Sequence, residues 1–149
     1  AMDFMRNSDA SASSARIRIA RHDGGWGIQG QFGIFRGYIY HNCQCVDLSV
    51  RVTDLPASRY RAIVYAHGDA PNQNAKIELI VGGASHGKKA TVHDGTWRFR
   101  EPPLVDGVHF VTFDFSVDGG DEVEFISHRD GSDYSMFNAI QLVPIQGGT

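Results

Sequence analysis

The chain has 149 residues, enough for one domain with a single substantial core. Apolar residues make up 42% of it and charged residues 21%, an ordinary globular balance. The net charge of −3, with basic residues scattered along the chain, argues against nucleic acid or an anionic membrane surface as partner, and no apolar run approaches the roughly 20 residues of a bilayer-spanning helix.

Residues 1–14 are rich in Ser, Ala and Asp and read as a loosely held N-terminal segment, followed by one β-sandwich domain over 15–149. The opening stretch lacks the apolar core of a signal peptide, and its Ala-Met start matches a cloning remnant, so it does not define the compartment. Short alternating segments follow. Ile17 and Ile19 alternate in 16–20, and "FGIFRGYIY" allows one helical turn at most, because Gly33 and Gly37 break it. Residues 46–52 place Val46, Leu48, Val50 and Val52 on one face of a half-buried strand. Residues 59–67 become apolar on both faces toward their end, as a central strand does.

Further strands are predicted within 75–83, 88–95, 96–100, 108–117, 121–128 and 136–145. Turn signals such as "GGASHGKK", "DGGDE" and "DGSD" separate several of them at the spacing of a sandwich or barrel. No segment carries a sustained 3.6-residue stripe. The fold class is therefore all-β, a two-sheet antiparallel β-sandwich.

His41, Cys43 and Cys45 lie at alternate positions and admit three readings: residues entering a strand, a disulfide beside a histidine, or soft-metal ligands. Fully extended, they would spread over about 13 Å, too far for one ion without a tight bend. Two cysteines are too few for a disulfide scaffold. Neither a Gly-x-Ser-x-Gly elbow nor a His-Glu-x-x-His motif occurs, and the Asp-Gly pairs near His93 and His128 suit turns, so the chain reads as non-catalytic.

The stretch from Val46 to Asp69, with Leu55, Pro56, Tyr60, Val64 and Tyr65, follows a "FRGYIY" turn, and Asn138 precedes Ile140 and Leu142 in the last strand. Over residues 15–145 this combination resembles the galactose-binding-like jelly-roll domains, which include many non-catalytic carbohydrate-binding modules of bacterial secreted proteins. The resemblance implies loops at one end of the sandwich that bind a glycan, with Asn138 at the matching position. It also implies a location that is extracellular, periplasmic or at the cell surface, and attachment to other domains of one parent polypeptide. A protein-docking or structural module of the same fold is the alternative.

Glycan binding calls for exposed rings and for planar polar groups that can bridge adjacent hydroxyls. By chemistry and loop position the candidates are Trp26, Tyr38, Tyr40, Asn42, Trp97, Arg98, Arg129, Asp130 and Tyr134, beside Asn138. No cofactor is required. Many such sandwiches carry a structural calcium, for which Asp118, Asp121 and Glu122 offer hard oxygen ligands, although turn formation alone also explains them.

Overall fold

The computed structural model describes residues 2–6, 12–20, 24–27, 33–41, 46–68, 70, 72–92, 103–132 and 134–145. In chain order the strands are β1 (Met2–Arg6), β2 (Ala12–Ala20), β3 (Gly24–Gly27), β4 (Gly37–His41), β5 (Leu48–Thr53) and β6 (Ser58–Tyr65). They continue with β7 (Ala75–Val81), β8 (Ala84–Ala90), β9 (Phe110–Val117), β10 (Val123–Arg129), β11 (Ser135–Phe137) and β12 (Ala139–Ile145). A single 3₁₀ turn, Gly33–Arg36, precedes β4, as the two glycines allow.

One layer is a six-stranded sheet in the order β1-β2-β5-β10-β7-β8. The other is made of two three-stranded sheets, β12-β6-β9 and β11-β4-β3, and the chain passes from one to the other between β11 and β12. All strand pairings are antiparallel. The expected sandwich is therefore present. The N-terminal expectation needs correction, because β1 pairs with β2 and residues 2–6 belong to the sheet. The predicted turn at 82–89 is also shorter than expected. Gly82 and Gly83, with φ of 56° and 85°, make a two-residue hairpin, and β8 begins at Ala84. β8 ends the sheet, and six of its seven residues are exposed. The strand predicted over 96–100 lies outside the described residues.

Alternation builds the core. From the six-stranded sheet Leu48, Val50, Val52, Ile77, Leu79, Val123 and Phe125 point inward, and Tyr60, Ala62, Val64, Val111, Phe113 and Phe115 meet them from β6 and β9. Phe125 is fully buried between Val50 on β5 and Leu79 on β7. Two buried serines fasten β11 to the end of the large sheet. The Ser135 hydroxyl donates to the Ser127 carbonyl and accepts from Leu48 N–H at 2.9 Å, while the Ser127 hydroxyl donates to the Met136 carbonyl at 2.7 Å.

The Leu-Pro…Tyr motif has a structural cause. Leu55 is buried, the Tyr60 ring stacks on Phe115 at 5.9 Å, and its hydroxyl donates to the Pro56 carbonyl at 2.5 Å. The turn and the strand after it are thus tied by one side chain, as in tyrosine corners of other sandwiches. Burial raises the Tyr60 hydroxyl above its ordinary pKa.

On the outer face of the large sheet, charged side chains pair across strands. The Arg51 Nε–Glu124 distance is 2.7 Å, and His128 lies 2.8 Å from both Asp47 and Glu78. The Glu78 carboxyl is held below the usual carboxylate range, first by the Ser85 hydroxyl at 2.7 Å and next by His128.

Two outcomes are expected. Tyr60→Phe should cost about 1 kcal/mol in urea denaturation, the net worth of one hydrogen bond; no measurable change would show that this bond contributes nothing. Because the folded Glu78 value is lowered, its stabilisation is present above the ordinary carboxylate range and is lost as pH falls through the folded value. Ser85→Ala should move the Glu78 titration upward in carboxyl NMR, and an unmoved curve would contradict the assigned cause.

Candidate functional site

The site begins with Phe35. The 3₁₀ turn delivers this fully buried ring onto Tyr65 of β6, edge-on at 5.9 Å, in a small cluster completed by Ile63, Leu104 and Phe110. Anchoring Phe35 fixes where β4 starts, one residue after the turn. At that start Gly37 approaches the β3 backbone so closely that an added Cβ would lie 3.1 Å from the Trp26 carbonyl oxygen.

The β3–β4 register places Trp26 directly opposite Tyr38 and Gly24 opposite Tyr40. Directly opposed residues share a sheet face, so Trp26, Tyr38 and Tyr40 form one row. Tyr40 extends it to Tyr134, with ring centroids 6.5 Å apart, and Tyr38 lies 5.9 Å from Tyr40. The three tyrosines are half-buried against the core. Trp26 is 55% exposed, the most exposed large apolar side chain among the described residues. Four residues selected from sequence, in three separate segments, are thus brought together.

Beside this row a cleft of about 570 Å³ opens between the two layers. Ile17 and Ile19 of β2, with Val50 of β5, form one wall. Trp26, Tyr38 and Ile39 form the other, and Phe137, Asn138, Ala139 and Ile140 close it. Ile17 and Ile19 pair with Val52 and Val50 in the β2–β5 register, yet they are only half-buried, so part of the layer opposite β2 is open. Sequence reasoning found the alternation of Ile17 and Ile19 but gave them no role in a site. It also read the glycine-rich "GGWG" as loop, although the segment is strand β3.

Asn138 sits at the junction of the two small sheets. Its backbone N–H donates to the Tyr65 carbonyl at 2.8 Å. Its Oδ1 accepts from His67 N–H at 2.6 Å, and its Nδ2 donates to the Gly37 and His67 carbonyls, both at 2.9 Å. Both amide protons and one lone pair are spent on backbone. Asn138 therefore braces the cleft that it also lines.

Arg129 and Asp130 are likewise committed. Arg129, with its side chain 14% exposed, donates to the carbonyls of Val46 and His41 and to Asp47, bracing both ends of the connection between β4 and β5. Asp130 accepts from buried Asn74 at 3.0 Å and pairs with Lys76 at 3.2 Å. Asn42, Trp97 and Arg98 lie outside the described residues, as do Cys43 and Cys45.

Asp121 Oδ2 accepts from Asp118 N–H at 2.9 Å across the turn, and Glu122 lies 3.6 Å from Arg51. Among the described residues no three His, Cys, Asp or Glu side chains are grouped to hold a metal. Turn formation accounts for the Asp118–Asp121 contact. His128 is held between Asp47 and Glu78 on the opposite face of the large sheet.

If Asn138 is scaffold, Asn138→Ala strands three backbone groups and should cost about 3 kcal/mol. Urea denaturation measures this, and a variant of unchanged stability would return Asn138 to the ligand-contact role.

No protein-family model matches the sequence, and no curated protein matches it significantly. Solved structures do share the architecture. A family 35 carbohydrate-binding module from Clostridium thermocellum superimposes with a TM-score of 0.54 at 13% identity, covering 97% of this chain and 99% of that one. One from Cellvibrio japonicus gives 0.51 at 18% identity, with 88% of each chain covered. A Podospora anserina β-(1,4)-mannanase containing such a module gives 0.53 at 12% identity, covering 91% of this chain and 29% of that one. The chain thus has the jelly-roll fold of the family 35 carbohydrate-binding modules.

Proposed function

We propose that this protein is a non-catalytic carbohydrate-binding module whose ligand site is the Trp26 face of β3 and β4 with the cleft beside it. The observation that carries the reading is Trp26 itself, a large ring left 55% exposed on a strand whose other residues are glycines. Burying such a ring elsewhere would contribute about 2–3 kcal/mol, so its exposure is unexplained by folding. A sugar presents a flat C–H face that a tryptophan ring covers, and hydroxyl edges that nearby backbone can meet. The likeness in fold to carbohydrate-binding modules supports the reading, as do the sequence motifs shared with galactose-binding-like domains.

The site performs no bond making. Binding is stacking of one sugar face on Trp26, with the neighbouring units passing over Tyr38 and into the cleft. Such a site is weak alone and gains retention when several modules share a parent chain. We place the module in a larger extracellular, carbohydrate-active polypeptide, an arrangement with a parallel in the mannanase whose module it resembles in fold.

Affinity electrophoresis in gels containing soluble polysaccharides tests this. Wild type should be retarded, and Trp26→Ala should lose about tenfold or more in affinity, as removal of a central aromatic anchor does. Val143→Ala, at an exposed position on β12, should bind as wild type does. Equal retardation of the Trp26 variant and wild type would remove the site. No retardation by any glycan would favour the protein-docking alternative.

A further inference from the structure

Resting on the carbohydrate-binding reading, we infer that this site takes a single uncharged glycan chain, and takes neither an acidic glycan nor the face of a crystalline polysaccharide.

The first half follows from charge. None of the described residues lining the cleft is charged, and its walls are Ile17, Ile19, Val50, Phe137 and Ile140. A carboxylate brought against those side chains would shed water without gaining a cation from the described lining, which is strongly unfavourable unless it is paired. Arg129, the described cation among the candidates for bridging sugar hydroxyls, already serves Asp47 and two carbonyls. Asn138, the amide nominated to read hydroxyls, is spent on Gly37 and His67. What the cleft offers is hydrocarbon, rings, backbone and the uncharged Asn138 amide, which suits the C–H faces and hydroxyls of a neutral sugar.

The second half follows from ring geometry. Adsorption to a flat crystal face needs rings presented in one plane. Tyr38 and Tyr40 are inclined at 58°, and Tyr40 and Tyr134 at 81°. All three tyrosines are half-buried, so Trp26 alone stands out. A recess of about 570 Å³ beside one projecting ring accommodates a strand of polymer and cannot lie flush on a surface.

The test compares three ligands with the same protein. Neutral soluble polymers (hydroxyethylcellulose and glucomannan) and acidic polygalacturonate are cast in native gels, and microcrystalline cellulose is used in sedimentation. Retardation by at least one neutral polymer, unchanged by added salt, with none by polygalacturonate and no sedimentation, is the expected result. Trp26→Phe should keep most of that affinity, and Trp26→Ala should lose about tenfold or more. Retardation by polygalacturonate equal to or stronger than by the neutral polymers overturns the charge argument and leaves the carbohydrate-binding reading standing. Trp26-dependent sedimentation with microcrystalline cellulose overturns the single-chain argument alone. Failure of all three ligands to bind overturns this inference and the reading beneath it.

Discussion

Asn138 occupies the point where the chain leaves one small sheet and enters another, and its amide holds the two together. The hydrogen bonds to Gly37 and to both backbone groups of His67 connect the start of β4, the exit from β6 and the entry to β12. The β3–β4 ribbon carries Trp26 and Tyr38, and among the described residues β11, this junction and the Phe35 turn join it to the rest of its layer. A side-chain amide suits the task because it is at once donor and acceptor, and three backbone groups of Gly37 and His67 converge on it. The orientation of the aromatic row is inherited from that junction and from the buried Phe35 turn just before it.

The two sides of the sandwich behave differently for a related reason. On one side the large sheet is closed: β9 lies over β7 and β8, and Lys89 of β8 donates to the Thr112 carbonyl at 2.6 Å while its ammonium sits over the Phe113 ring. On the other side β2 extends the large sheet beyond the reach of the three-stranded β12-β6-β9 sheet, and Ile17 and Ile19 are left half-covered. Unequal sheet widths produce the cleft. A sandwich with matched layers would bury those isoleucines and have no recess there.

The periodic parts of this architecture were legible in the sequence. Val46 to Val52, Tyr60 to Ala66 and Val111 to Phe115 alternate cleanly because each strand has one dry face, and the Asp-Gly and Gly-Gly turns between strands have their own backbone chemistry. The β3 strand escaped notice because three of its four residues are glycines, which signal a turn when there is no side-chain pattern to read. The candidate aromatics were found by type, and the register that unites Trp26, Tyr38, Tyr40 and Tyr134 is a long-range property. Asn138 was located by motif, but sequence shows only an amide at a strand entrance and not the backbone groups of Gly37 and His67 that it holds. For Asp121 and Glu122 the sequence shows two adjacent carboxylates, and only the fold shows that one bonds across its turn and the other pairs with Arg51.

The exposed β8 strand has a consequence for crowding. An edge strand offers unpaired backbone to any neighbour, and modules of this kind reach high local concentration when repeated along a polymer. Here that edge reads Ala-Ser-His-Gly-Lys-Lys-Ala, with no β-branched or aromatic residue, a glycine at φ 93° inside it and two adjacent ammonium groups. A second copy docking there would gain little dry surface and would bring like charges together. The protein can therefore reach high local concentration without its large sheets fusing through the β8 edge.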